Sequence, residues 1–396
     1  MVDRQIHRQR AWKRAGLALL VGMALAAAMA SFGAGWFAML PLVAMVWGAG
    51  IALHRAGAVP VIVYHSISPD AGWLPWSQNT SVRPEVFERH MTVLARMGWT
   101  VLSREAFQGA RARGLRLPAK SVMIHFDDGY LDNWVAAVPI LRKYGAPATI
   151  FVSSDFIDAS QSRRPTIDET PTDWRGYMNA AELRALDADP LIEIACHGAD
   201  HARVAVSSDI VDTLSEANWR QHAPLFWNNS EDKSRWFEAT EPALPYGNLV
   251  RQNDSALTSP SWTEAGIETK AVFEARVRAS LIRARHLLKD VLGRDIDFLC
   301  WPYDRVTNAS ALIAREVGFE TLTGGRGENR EGEDPCLLSR THINDFAAGP
   351  GSLWVEELVF RAKLGVAAGH YWWMPVTALA RRRRARFLPS PKGPGA

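Results

Sequence analysis

The chain has 396 residues, of which 47% are hydrophobic and 22% are charged, and this composition excludes an intrinsically disordered protein. Its three cysteines are too few and too widely spaced for the disulfide framework of a small secreted scaffold. The net charge of +3 is uneven: residues 1–14 carry +4 and residues 379–396 carry +6, which leaves −7 on the body and argues against a nucleic-acid-binding protein.

Residues 15–53 form an uncharged run of 39 residues near the N-terminus. Because one membrane span needs about 20 apolar residues and a signal peptide only about 7–15, we expect a membrane segment within residues 1–56. It is either one long span or a two-helix hairpin that turns near residues 31–36. The predicted location is the cell (inner) membrane, with the lipid bilayer as a partner.

The basic residues before this run favour a cytoplasmic N-terminus. A single span would export the main domain, whereas a hairpin would return it to the cytoplasm, and we favour the hairpin. Residues 371–396 combine a Tyr-Trp-Trp segment with five arginines. This aromatic and Arg-rich tail either docks on an anionic leaflet or stays solvated.

The body, residues 57–370, alternates short apolar runs with amphipathic segments. The predicted strands are residues 61–65, 122–126, 148–152, 191–196, 298–301 and 319–322. The predicted helices are residues 84–97, 133–144, 179–187, 272–292 and 308–317. This alternation predicts an α/β fold with a parallel sheet. From residue 204 to about 270 the pattern is irregular and rich in tryptophan, which predicts an insertion whose rings either stack on sugars or pack on the core.

Three predicted strands end in polar residues that a core would not contain. Asp127 and Asp128 follow the strand at 122–126, His197 and His201 follow the strand at 191–196, and a Pro-Tyr-Asp sequence begins at residue 302. Active sites of open α/β sheets and barrels assemble at the carboxyl ends of strands. A carboxylate with two imidazoles suits a divalent metal such as zinc, although Asp-Asp-Gly alone could be a helix-capping turn.

In this order, the motifs resemble those of the polysaccharide deacetylases (carbohydrate esterase family 4), especially the poly-N-acetylglucosamine deacetylase branch. The resemblance covers roughly residues 59–345. It rests on residues 61–65 (VIVYH), 125–129 (HFDDG), 145–152 (GAPATIFV), 197–201 (HGADH) and 301–303 (WPY). The implied fold is the deformed (β/α) barrel of that family, with the N-terminal membrane segment and the long insertion added.

The resemblance also implies a role for each matching residue. Asp128, His197 and His201 would bind one divalent metal, with Zn²⁺ favoured and Co²⁺ or Ni²⁺ as workable substitutes. Asp127 would be the general base that deprotonates the attacking water, and the backbone N–H of Tyr303 would bind the oxyanion. His342 would be the general acid for the leaving amine.

Three departures from the family pattern accompany these matches. Gly198 stands where the second motif normally has Ser or Thr, so a hydroxyl that would brace the metal-binding loop is missing. Cys300 stands where the third motif often has an Arg that steadies the base. No Asp-x-x-Asp-Trp sequence lies between Tyr303 and His342.

The predicted enzyme is thus a metal-dependent polysaccharide N-deacetylase, a hydrolase of carbon–nitrogen bonds other than peptide bonds. Its partners would be an N-acetylated glycan, free or lipid-linked, and other membrane-bound proteins of glycan synthesis or export. Three alternatives remain open: an O-deacetylase, another amidase on the same site, and a non-catalytic carbohydrate-binding component of a glycan-assembly complex.

Overall fold

The computed structural model describes residues 3–32, 37, 39–70, 72–76, 80–171, 173–227, 233–347, 349 and 351–387. Its strands are β1 (Val61–Tyr64), β2 (Ser66–Ile67), β3 (Ser81–Val82), β4 (Thr100–Val101), β5 (Ser121–Phe126), β6 (Ala148–Val152), β7 (Ile192–Cys196), β8 (Arg203–Thr213), β9 (Leu249–Ser255), β10 (Trp262–Thr263), β11 (Gly266–Ile267), β12 (Phe298–Leu299), β13 (Thr321–Thr323), β14 (Leu337–Leu338) and β15 (Thr341–His342). Its α-helices are Arg4–Ser31, Met39–Ala52, Pro84–Arg96, Arg104–Ala112, Val138–Tyr144, Ala180–Asp187, Lys270–Leu292, Asn308–Val317, Leu353–Ala367 and Met374–Phe387.

One curled parallel sheet organises the body, with the spatial order β14-β13-β12-β7-β6-β5-β1-β15 and with β4 paired to β5. The two end strands are separated in sequence only by Ser339 and Arg340. The segment 337–342 therefore pairs with β13 on one side and with β1 on the other, which closes the sheet into a deformed barrel. The predicted fold and the six predicted strands are confirmed.

Alternate residues of each strand face the barrel interior, as the two-residue period of a strand requires. The interior contains a compact apolar cluster that includes Val61, Met123 and Leu338. Polar residues lie two or four positions further along the same strands, on the same face. This geometry carries His65, Asp127 and Arg340, among others, to the carboxyl end of the barrel, above the apolar cluster.

Helix ends are set by local side-chain chemistry. Asn179 and Glu182 form a reciprocal capping box at the start of Ala180–Asp187, and Thr307 and Ser310 do so for Asn308–Val317. Such pairs satisfy backbone N–H groups that have no partner within the helix. They hold the helices in place between the strands whose ends build the site.

The predicted irregular stretch from residue 204 to about 270 contains more regular structure than the sequence pattern indicated. It begins and ends in a long antiparallel pair, β8 with β9, whose register is interrupted between Ala205 and Asp212. These strands are half-exposed on both faces, so the alternation of polar and apolar residues that reveals most strands is blurred. Trp236 and Phe237 pack with Trp73 and Tyr130 beside the site.

The N-terminal apolar region forms two helices that pack against each other. Of the described helices, Arg4–Ser31 is long and apolar enough to cross a membrane, whereas Met39–Ala52 has 14 residues. A side chain at Gly22 would lie 2.4 Å from Met45, so glycine permits this close approach. Of the turn predicted near residues 31–36, residues 33–36 lie outside the described residues.

Glu328 joins this region to the barrel. Its carboxylate, with a side chain only 2% exposed, lies 3.7 Å from Arg8, 3.6 Å from Arg55 and 2.7 Å from Arg330. The hydroxyl of Tyr371 donates to the same carboxylate at 2.7 Å. A buried charge is tolerable only with such partners, so Glu328 fixes the two apolar helices and the C-terminal segment to one point of the body.

The C-terminal segment, predicted as an aromatic and Arg-rich tail, is helical from Met374 to Phe387. Trp12 contacts the sulfur of Met374, and Ala380 packs with Ala347 and Val359. The described part of the tail is therefore packed against the apolar helices and the body, while residues 388–396 lie outside the described residues.

Candidate metal centre and active site

The first pair of site residues is separated by a sharp change in backbone direction. Asp127 continues the inward face of β5, while Asp128 and Gly129 both have φ of 76°. A side chain at Gly129 would lie 3.2 Å from Val152, so this position requires glycine. The turn lets two consecutive carboxylates serve different partners.

Three predicted metal ligands converge. Asp128 Oδ1 lies 3.2 Å from His197 Nε2 and 2.8 Å from His201 Nε2. Asp128 Oδ1 and His201 Nε2 are buried atoms without a hydrogen-bond partner in the described part of the chain. Ligands of a tetrahedral zinc ion lie about 3.3 Å apart. The spacing and the orphaned lone pairs therefore fit a divalent cation.

A backbone carbonyl group orients the ring of His197. Its Nδ1 lies 3.1 Å from the carbonyl oxygen of Cys300, so Nδ1–H donates there and Nε2 is left as the basic nitrogen. A second group, consisting of Asp127, His197 and Cys300, also has ligand atoms within 4.8 Å of one another. The first group is favoured because all three of its residues line the cavity, whereas Cys300 is fully buried and does not line it.

Arg340 holds Asp127 in place. Its Nη1 donates to Asp127 Oδ1 at 2.7 Å, and both side chains are almost completely buried. Burial would raise the pKa of Asp127, but Arg340, His197 and His65 outweigh it and keep that pKa at about 2. The arginine missing at Cys300 is thus replaced from the closing segment of the barrel. Sequence reasoning missed this residue, although its position two residues before His342 on a strand places both on one face.

Asp304 ends the Pro-Tyr-Asp sequence at the third strand end, but the sequence predicted no role for it. It contacts Nε2 of His342 and the guanidinium of Arg340. Burial opposes its ionisation, yet Arg340 and His342 hold the pKa of Asp304 well below its usual range. Asp304 therefore orients the ring of His342.

Tyr303 has a left-handed backbone conformation and a side chain that contacts the metal-binding loop. Its φ of 61° and the φ of 50° at Asp304 are left-handed values that non-glycine residues rarely adopt, and such strain is typical of functional sites. Its hydroxyl donates to the carbonyl of His201 at 2.5 Å, which links the third motif to the metal-binding loop.

All six predicted site residues line one cavity of about 430 Å³ at the carboxyl end of the barrel. His65 also lines it, 3.8 Å from Asp127, and burial lowers the pKa of His65 to about 4, so its ring is neutral at pH 7. One wall of this cavity is largely aromatic. It is built by the residues Trp76, Tyr130, Phe156, Tyr177, Leu225 and Trp227. The insertion thus contributes directly to the cavity.

Comparison with known proteins agrees with this geometry. Residues 114–258 match the family model described as polysaccharide deacetylase. The protein YxkH of Bacillus subtilis is 35% identical over 104 residues, which cover 26% of this chain and 35% of YxkH. The poly-beta-1,6-N-acetyl-D-glucosamine N-deacetylase of Escherichia coli K12 is 21% identical over 248 residues, or 62% of this chain and 31% of that protein. The chain thus spans about a third of the length of these curated relatives.

Among solved structures, the de-N-acetylase of Aggregatibacter actinomycetemcomitans superimposes with a TM-score of 0.51 at 19% identity. The superposition covers 71% of this chain and 93% of that one, and it shows the shared fold. Residues 114–258 therefore carry a polysaccharide deacetylase domain, and the order of the site residues along the strands agrees with this match.

Proposed function

We propose that this chain is a metal-dependent hydrolase that removes N-acetyl groups from amino sugars of a glycan. The observation that carries the proposal is that two adjacent carboxylates have different partners. Asp128 lies with His197 and His201, whereas Asp127 is paired with Arg340 and faces the same cavity. A ligand and a free base side by side are what amide hydrolysis needs.

Asp128, His197 and His201 would hold the divalent metal, which supplies activation of water and polarisation of the acetyl carbonyl. Zinc suits this donor set best, with Co²⁺ or Ni²⁺ as substitutes. Asp127, ionised at neutral pH, accepts the proton of the attacking water. The N–H of Tyr303 donates to the oxygen that gains negative charge. His342, oriented by Asp304, protonates the leaving nitrogen.

The aromatic wall supports a carbohydrate substrate. Trp76 and Trp227 line the same cavity as the proposed metal ligands, and aromatic rings bury a large area of a sugar face at low entropic cost. The substrate proposed for this chain is a glycan that contains N-acetylhexosamine units, by analogy with the poly-beta-1,6-N-acetyl-D-glucosamine N-deacetylase of Escherichia coli.

Comparing two isosteric variants tests the proposal. Acetate release from N-acetylglucosamine oligomers is measured together with bound metal for the wild type, Asp127→Asn and Asp128→Asn. Asp127→Asn should keep the metal and lose at least about 10²-fold in kcat, because only the base is removed. Asp128→Asn should lose the metal as well. Acetate release by Asp127→Asn at the wild-type rate would refute the assignment.

For the location, we infer a membrane-inserted hairpin with both ends on the cytoplasmic side. Arg8 and Arg55, at the two ends of the apolar region, meet at Glu328, so both ends lie beside the body. Residues 53–60 lead to the amino end of β1, opposite the cavity, so the site faces away from the bilayer. A glycan that extends from the membrane surface would reach it. A C-terminal reporter active only outside the cell would contradict this topology.

A further inference from the structure

The insertion contains a buried lysine that contacts the metal-binding loop. Lys233 Nζ lies 2.6 Å from Asp200 Oδ2 and 2.7 Å from Asp155 Oδ2, and its side chain is 8% exposed. Asp200 stands between His197 and His201 in sequence. In the described part of the chain, the carboxylate of Asp200 forms an ion pair with Lys233 alone.

The two carboxylates bound by Lys233 hold the loop from both sides. Asp200 Oδ1 accepts from the N–H of Ala202 at 3.0 Å, which folds the loop around its own side chain. Asp155 donates its backbone N–H to the carbonyl of Ala199 at 2.9 Å. By bridging Asp155 and Asp200, Lys233 ties the loop to the end of β6 through charge-assisted hydrogen bonds.

The Lys233–Asp200 ion pair lies in the loop where this chain lacks the hydroxyl group of the family's second motif. Gly198 replaces the usual Ser or Thr of the second motif, and its φ of 79° is a conformation that glycine adopts without strain. The loop between the two histidines therefore has no hydroxyl at this position. A buried lysine from a distant segment compensates for that loss.

We propose that Lys233 is a positioning residue of the metal centre, which fixes the loop that carries His197 and His201 by neutralising Asp200 and Asp155. Without the ammonium group, the buried carboxylate of Asp200 would have no ion-pair partner in the described part of the chain. It would also lie within about 5.3 Å of Asp155, the greatest separation that contacts with one Nζ allow, and Asp155 would keep only Arg283 as a cationic partner among the described residues. The loop would relax toward solvent, and the two imidazoles would lose their common orientation. The inference rests on the proposed metal site and gives the insertion a role beyond lining the cavity.

The test is a Zn²⁺ affinity measured by chelator competition on the full chain in detergent, without substrate. Lys233→Met should weaken Zn²⁺ binding about 10–100-fold, the usual cost of losing a residue that orients metal ligands. Lys233→Arg should retain most of the affinity. Arg283→Met is the matched control, because Arg283 contacts Asp155 from the surface and leaves the Lys233–Asp200 pair intact. Its affinity should be unchanged.

A double variant removes ambiguity about folding. In the Asp200→Asn background the loop no longer carries the charge that Lys233 neutralises, so adding Lys233→Met should cost much less than in the wild type. Wild-type Zn²⁺ affinity in Lys233→Met, or equal costs in both backgrounds, would overturn the inference. Because no substrate is present, a chain that fails to release acetate but shows this pattern would refute the proposed function and leave the role of Lys233 standing.

Discussion

Replacing Arg340 with methionine tests how the base is held. Arg340 lies inside the barrel, with a side chain 2% exposed, against Asp127 at 3% and Asp304 at 31%. Methionine fills much of the same space but leaves the carboxylate of Asp127 buried without its cation. Breaking a buried ion pair from one side costs about 3–5 kcal/mol, and the more exposed Asp304 adds little.

Urea unfolding of metal-free protein measures this loss directly. Arg340→Met should lower the free energy of unfolding by about 3–5 kcal/mol, and kcat should fall by at least about 10²-fold because the base loses its orientation. Bound metal should be retained, since Arg340 contacts none of the three proposed ligands in the described structure. Arg340→Lys keeps the positive charge but loses the paired N–H donors of the guanidinium. Its free energy of unfolding and its kcat should lie between those of the wild type and of Arg340→Met.

The reasoning would be refuted if Arg340→Met unfolded at the same urea concentration as the wild type and released acetate at the same rate. Such a result would mean that Asp127 is neutral in the folded protein, or that the ion pair exchanges freely with water. Loss of metal in Arg340→Met would instead show that the guanidinium orders the metal-binding residues.

Three further predictions follow from other contacts. Asp304→Asn should reduce kcat by about 10²–10⁴-fold with metal content unchanged, because His342 loses the carboxylate that orients its ring; an unchanged kcat would remove His342 as the acid. Glu328→Gln should destabilise the full chain by about 3–5 kcal/mol in detergent, measured by thermal unfolding, because three arginines lose their shared partner. Burial and Arg384 lower the pKa of Lys363 to about 7, so the unfolded chain binds the extra proton between about pH 7 and 10.5, and wild-type stability should rise with pH there. In Lys363→Met this rise should be smaller, and equal pH profiles for the two proteins would contradict the low pKa.

The sequence predicted the parts of the site that follow strands. Asp127, Asp128 and His197 come directly after an apolar run, His201 follows His197 by four residues, and parallel strands end at one edge of a sheet. Their meeting in one cavity therefore needed no knowledge of long-range contacts. The same logic correctly predicted six parallel strands between residues 61 and 323, but not the β8–β9 pair or the helix Arg104–Ala112.

Arg340 could not be found in that way. The closing segment of the barrel consists of two-residue strands, too short for any periodic signal, and its two sides pair with strands distant in sequence. Lys233 lies in the insertion and meets its partner through tertiary contacts alone. Local sequence patterns do not predict how the sheet closes, and this closure places Arg340 beside Asp127.

The most direct measurement is the anomalous diffraction of crystals grown with Zn²⁺. One peak should lie within about 2.3 Å of Asp128 Oδ1 and of the Nε2 atoms of His197 and His201, with Asp127 outside bonding distance and still paired with Arg340. A peak bound instead by Asp127, His197 and Cys300, the other group of ligand atoms in reach, would turn the proposed base into a ligand and contradict the account.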